Sequence, residues 1–256
     1  MELAQFSQKF FGNEKVIKLK TLPSLGLFYQ DDFSMKIRKA SIQDIEMYES
    51  NFIKDDISMV IAKIKTVVIN NITFQKGYNF GDIRSIDIVF IFIEIVRLTI
   101  GKKIGFDYID EDTIESKYIE FSHKNFNYIN LSNDTMSMYN NKDKCFEIND
   151  YIYSLPTIGV ETSLSKFLLK KEINGESHKY SDLFYDFTHF LKDKKNLSYD
   201  EVDNLVKIFN EDIEHKEIIK MMEILNVFKD FNKYSLIKDG KEVGVNARID
   251  LENIWK

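Results

Sequence analysis

Side chains able to do chemistry are few in this chain and poorly spaced for it. The four histidines, His123, His178, His189 and His215, share no metal-ligand spacing, and Cys145 has no partner cysteine. Surface or capping roles account for the histidines. Cys145, between Lys144 and Phe146, has the element of a nucleophile, but a lone cysteine before a strand reads as packing. Asp107, Asp110, Glu111 and Asp112 could together attract a hard cation. They lack the glycine and the terminal glutamate of a calcium loop, so a solvated turn is the simpler reading. Glu94 and Arg97 stand at i, i+3 inside an apolar run, the spacing of an intrahelical ion pair. No serine occupies a Gly-x-Ser-x-Gly elbow. Gly101 and Gly105 do not complete a phosphate-cradling Gly-x-x-x-x-Gly-Lys-Ser/Thr loop. The expectation is a chain with no catalytic residue, no metal and no cofactor.

What must position any site is marked by proline. The chain has 2 prolines, and both lie in the same setting: Leu22-Pro23-Ser24-Leu25-Gly26 and Leu155-Pro156-Thr157-Ile158-Gly159. Proline fixes φ and biases its predecessor to extended geometry, while glycine permits a sharp redirection. The pattern predicts one device used twice, a tight corner feeding a strand. A second pair of landmarks, Ile129-Asn130-Leu131-Ser132-Asn133 and Ile249-Asp250-Leu251-Glu252-Asn253, closes each half. Together they predict an α+β fold in two similar halves, residues 1–140 with an N-terminal arm and residues 141–256. Each half would hold a proline-corner strand, about three helices and a small antiparallel ribbon. Coincidence in a chain rich in Ile, Asn and Lys is the alternative to tandem duplication.

Composition narrows the partners. A chain of 256 residues can bury one large core or two small ones. The net charge is −6, which gives no overall attraction to nucleic acid or to an anionic membrane. Basic charge is nearly all lysine; Arg38, Arg84, Arg97 and Arg248 are the only arginines. A single cysteine fits a reducing compartment. Met1–Phe11 lacks the basic and apolar regions of a signal peptide. Ile88–Ile100 is too short to span a bilayer and is interrupted by Glu94 and Arg97.

Periodicity predicts the elements between these marks. Lys15–Lys20 suits a short strand or arm, and Phe33–Arg38 alternates as a half-buried strand should. Ser41, with Asp44 three residues on, caps a helix whose inward face is Ile42, Ile45, Tyr48 and Phe52. A second helix spans Asp56–Asn70. A third, apolar on nearly all sides, runs from Gly81-Asp82 to Ile100 and stops at Gly101. Alternating runs at 104–108, 118–121 and 126–129 predict an antiparallel ribbon. Residues 132–145 read as a loop, Phe146–Tyr153 as a strand, and Val160–Phe167 as the strand after the second corner. Helices follow at 181–192, from Ser198 and at 214–231, with the aromatic face Phe184, Tyr185, Phe187 and Phe190 taken mostly as core. A hairpin turns at Asp239-Gly240.

Three short motifs carry a resemblance. Leu22, Pro23, Ser24, Gly26 and Tyr29 form Leu-Pro-Ser-x-Gly-x-x-Tyr; Ser41 and Asp44 form a Ser/Thr-x-x-Asp/Glu helix start; Arg97, Thr99 and Gly101 form Arg-x-Thr-x-Gly after an apolar helix. In these the chain resembles the baseplate hub and hub-assembly proteins of contractile-tailed bacteriophages of the T-even type, over most of residues 20–105 and more loosely beyond. Some relatives in that family carry cysteine pairs in the following ribbon; this chain has none there, so a zinc ribbon is not implied. The resemblance implies a non-enzymatic late protein, a tail hub subunit or a hub-assembly factor. Its partners would be other baseplate hub proteins, with no nucleic acid or membrane. It would act in the host cytoplasm during assembly and, if retained, in the virion tail baseplate. Leu22, Pro23, Ser24, Gly26, Tyr29, Leu155, Pro156 and Gly159 become the candidate partner-binding residues. The corners could equally serve only to set the fold. Two other classes stay open: an intracellular adaptor, and an enzyme whose carboxylates, Asp107 with Asp110 or Glu94 with Arg97, are scattered.

Overall fold

The computed structural model describes residues 14–50, 57–101, 104–109, 113, 115–120, 131–148, 151–175, 236–238, 241–243 and 255. Among these the chain is α+β, with helices set against small antiparallel sheets. Strands β1 (Lys15–Val16), β2 (Met35–Ile37) and β3 (Ile72–Phe74) form one sheet in that order. Met35 and Ile37 point into the core and Lys36 out, the alternation the sequence predicts.

Helix α1 (Ile42–Glu49) begins in a full capping box: Ser41 Oγ accepts from the Asp44 amide at 3.1 Å, and Asp44 accepts from the Ser41 amide at 2.9 Å. Of its expected inward face, Tyr48 is buried and Ile45 packs against the core, but Ile42 turns away. Ile42 is 74% exposed, whereas Asp44 and Tyr48 are buried. Asp44 is held inward by the side-chain amides of Asn70 and Asn71 at 2.8 and 2.9 Å, at the end of α2 (Ile57–Asn70). Residues four apart share a helix face, so Tyr48 follows Asp44 inward and Ile42 turns out. The helix ends at Glu49, and Phe52 lies outside the described residues.

Helix α3 (Ile88–Ile100) is the centre of the core: every residue from Ile88 to Val96 is buried. Each large apolar side chain so enclosed contributes about 1.5–3 kcal/mol, far more than any surface pair. Gly101 ends the helix at φ 66 and donates to Arg97 O, as its place after the apolar run predicts. The start is a correction. Phe80–Asp82 and Ser85–Asp87 are separate 3-10 turns, and the α-helix begins only at Ile88. Asp82 folds back onto the Asn79 amide, while the Arg84 and Ser85 amides are taken by Tyr29 and Pro156. Backbone groups spent on distant partners cannot close helical turns.

The strands β4 (Gly105–Ile109) and β5 (Ser116–Glu120) pair antiparallel, Asp107 opposite Tyr118, as the first two runs of the expected ribbon. The third run is outside the described residues. Residues 132–145 are not simply loop: Ser132 caps α4 (Asn133–Ser137), and β6 (Tyr139–Asn140) follows. The strand expected at 146–153 is instead the hairpin β7 (Cys145–Ile148) and β8 (Tyr151–Tyr153), Phe146 opposite Tyr153. Asn149 and Asp150 lie between them in the sequence, outside the described residues.

The strand expected at Val160–Phe167 is helix. Thr157 caps α5 (Ile158–Ile173) through the Val160 amide at 3.3 Å. Val160, Leu164 and Phe167 are buried at i, i+4, i+7, a helical stripe within an apparent alternation. The second corner therefore opens a helix. The first passes through a run of turns before β2. The hairpin β9 (Leu236–Lys238) and β10 (Lys241–Val243) flanks Asp239-Gly240 as expected. The helices expected between 181 and 231 and the strand end at 249–253 lie outside the described residues. Trp255 is buried, with Tyr48 and Phe92 edge-on at 6.1 and 5.9 Å.

Candidate functional site

The first corner is wound tightly. The Leu25 amide donates to Leu22 O at 2.8 Å and Leu27 to Ser24 O at 3.0 Å. Gly26 sits at φ +76, and a Cβ there would lie 2.9 Å from Leu19 Cβ. Leu25 and Phe28 adopt φ 54 and 71, a left-handed geometry that costs a non-glycine residue on the order of 1–3 kcal/mol. Such strain persists only where surrounding contacts fix it.

The fixing group is Asp87, just before α3. It accepts the Ser24 amide at 2.9 Å, the Ser24 hydroxyl at 2.7 Å and the Tyr29 hydroxyl at 2.8 Å. The Tyr29 oxygen in turn accepts the Arg84 amide at 2.9 Å. Burial pushes the Asp87 carboxyl up to about 6, against the pull of its donors and of Arg84. Burial, and then Asp87 itself, holds the Tyr29 hydroxyl well above its ordinary value.

Arg84 carries the link to the second corner. Its Nη1 donates to Ser154 Oγ at 3.0 Å and to Leu155 O at 2.6 Å, and its Nη2 donates to Phe28 O. The guanidinium lies 5.7 Å from the ring centres of both Phe28 and Tyr29. On either side, the Ser85 amide donates to Pro156 O at 3.1 Å and the Ile158 amide to Ile83 O at 2.9 Å. Ile83–Asp87 is thus a buried bridge with one proline corner bonded to each side. Phe146 and Tyr139 close around Phe28, whose amide donates to Tyr139 Oη at 3.0 Å. Lys144 reaches back to Asp31 at 2.8 Å.

Of the expected partner-binding residues, Leu22, Pro23, Ser24, Tyr29, Leu155, Pro156 and Gly159 are buried and Gly26 is half-buried. Four of them bond to the bridge: Ser24 and Tyr29 through Asp87, Leu155 through Arg84 and Pro156 through Ser85. The residues the sequence reading missed are Arg84, Asp87, Ser154 and Phe28. One signal was there: Arg84 is one of four arginines in a lysine-rich chain.

Glu94 and Arg97 form the expected pair at 2.9 Å, and Lys15 also bonds Glu94, tying β1 to α3. Burial raises the Glu94 carboxyl, but Lys15 and Arg97 overcome it and hold it below its ordinary range. Asp107 stands on β4; Asp110, Glu111 and Asp112 are outside the described residues. Cys145 is buried. Among the described residues no cluster of three or more His, Cys, Asp and Glu could hold a metal ion. None of their helices is long and apolar enough to cross a membrane.

A cleft of about 40 Å³ opens beside Arg84, lined by Phe28, Tyr78, Lys144 and Ser154, with room for a few water-sized groups. A much larger open groove, about 1200 Å³, runs between β3 and the first turns of α5, and Gly159 lines it. No protein-family model, curated protein or solved structure matches the chain.

Proposed function

We propose that the chain is a non-enzymatic scaffold, a baseplate hub subunit of a contractile phage tail or a factor that assembles that hub, acting through protein contacts. The observation that carries this reading is the locked pair of corners. The residues on which the family resemblance rests, Leu22 to Tyr29, are bound by Asp87 and Arg84 into one rigid unit with Leu155 and Pro156. A buried polar network with this many bonds favours a single geometry, which suits a part that must fit others. The Asp87 carboxylate and both terminal nitrogens of Arg84 are spent on internal bonds, which leaves shape as the main contribution of the bridge. The eight corner residues then shape a docking face whose contact surface is supplied by exposed neighbours such as Leu25 and by the groove beside Gly159.

The finer plan of two related units, 1–140 and 141–256, belongs to the same proposal. Its support is the repeated corner and strand-end sequence; a duplicated corner has diverged, one copy entering turns and the other a helix. Gradient sedimentation of infected-cell lysate tests the function. Co-migration with tail intermediates supports the hub reading, and a position only at the free-chain size contradicts it.

A further inference from the structure

Among the described residues, nothing pairs with the outer edge of β3. The Arg38 amide donates to Asn71 O and the Gln75 amide to Ser34 O, each at 3.0 Å. In the β2–β3 register, residues 71, 73 and 75 therefore turn their backbone groups to β2. Ile72 and Phe74 turn theirs the other way, where β3 is the last strand of the sheet. The same alternation holds on the far side, where Met35 O accepts the amide of Ile17, the residue after β1. Edge strands are commonly protected by charge or proline. β1 carries Lys15, but Ile72-Thr73-Phe74 has neither.

This edge faces the groove. Ile69, 50% exposed, and Phe80 with Ile158 supply apolar wall. Opposite, Gly159, Thr162, Ser163 and Lys166 line it from one stripe of α5 at i, i+3, i+4, i+7. Those first three side chains are small enough to let a backbone approach. Among the described residues Lys166 is the one charged member of the lining.

We propose that β3 accepts an extended segment of a partner protein as an added strand, with apolar side chains on alternate residues and a carboxylate meeting Lys166. Unpaired amides and carbonyls on one line select an extended backbone, the apolar wall selects alternate residues, and the single cation selects an acid. The inference rests on the reading of the chain as a contact scaffold and names the partner's chemistry.

The test pans the full-length chain against a displayed library of random nine-residue peptides, then measures amide exchange with the synthesised binders. Recovered peptides should alternate apolar residues and carry Asp or Glu near one end. They should slow exchange at Ile72 and Phe74. Lys166→Glu should weaken the acidic peptides about fivefold or more and favour versions with Lys at that position. Binders without the pattern, binders that leave Ile72 and Phe74 exchange unchanged, or no binders at all would overturn the proposal. So would slow exchange of those amides in the free chain, which would mean that the chain fills its own groove. Peptide binding without tail co-migration would sink the hub reading alone; the converse would sink this one alone.

Discussion

Arg84→Met removes a buried guanidinium while keeping an unbranched side chain of similar reach. Three acceptors then lose their donor: Ser154 Oγ, Leu155 O and Phe28 O. The serine hydroxyl can reorient, but the two carbonyls cannot. A buried polar group left unsatisfied costs about 1–3 kcal/mol, so the pair costs about 2–6 kcal/mol. Relief of guanidinium burial offsets part of this, leaving a net loss of about 3 kcal/mol. That is a large share of the ~5–15 kcal/mol that holds a typical domain folded. Arg84→Lys should recover less than half, because one ammonium cannot serve carbonyls on both corners as a fork does. Urea unfolding followed by circular dichroism reads the difference from the midpoint at unchanged slope. Amide exchange adds a local readout. Ser85 and Ile158, whose amides join the bridge to the second corner, should exchange faster in Arg84→Met while α2 stays protected. A variant within about 0.5 kcal/mol of the parent would refute the claim that this arginine locks the corners.

The carboxyl of Asp87 is raised from 3.8 to about 6 in the fold, so its ionisation disfavours the native state. Its contribution is complete below about pH 4 and is lost as pH rises through about 6, by roughly 3 kcal/mol at 1.36 kcal/mol per unit. Asp44 and Glu94 are shifted the opposite way, so the parent-minus-variant difference for Asp87→Asn, taken by urea unfolding from pH 4 to 8, isolates this part. A difference that does not change over that interval would contradict it. Gly26→Ala meets both a positive φ and a Cβ contact of 2.9 Å, whereas Gly101→Ala meets open space. Both should lower the melting temperature, Gly26→Ala more, by about 1 kcal/mol or more beyond Gly101→Ala; equal losses would refute the close approach.

Legibility in the sequence followed the distance over which each feature is decided. The Ser41 box, the Gly101 stop, helix α2 and the Asp239-Gly240 hairpin depend on neighbours a few residues away, and each appears where its pattern places it. Helix α5 was misread because Val160 to Phe167 satisfies two periods at once, and the cap at Thr157 decides between them. The start of α3 was misplaced because its amides are claimed by residues far off in sequence: Tyr29 lies 55 positions from Arg84. The two proline corners were found, but not the bridge between them. Asp87 reaches Ser24 across 63 positions and Arg84 reaches Leu155 across 71, and no local pattern encodes such contacts. For the same reason the β3 edge, which exists only once β2 has paired, was invisible.

Quantitative mass spectrometry of purified virions beside the infected-cell lysate tests the scaffold reading most directly. The account predicts the chain either in stoichiometric amount in particles, as a hub subunit, or abundant in lysate and recovered with tail intermediates, as an assembly factor. Its absence from both particles and intermediates would contradict the tail reading.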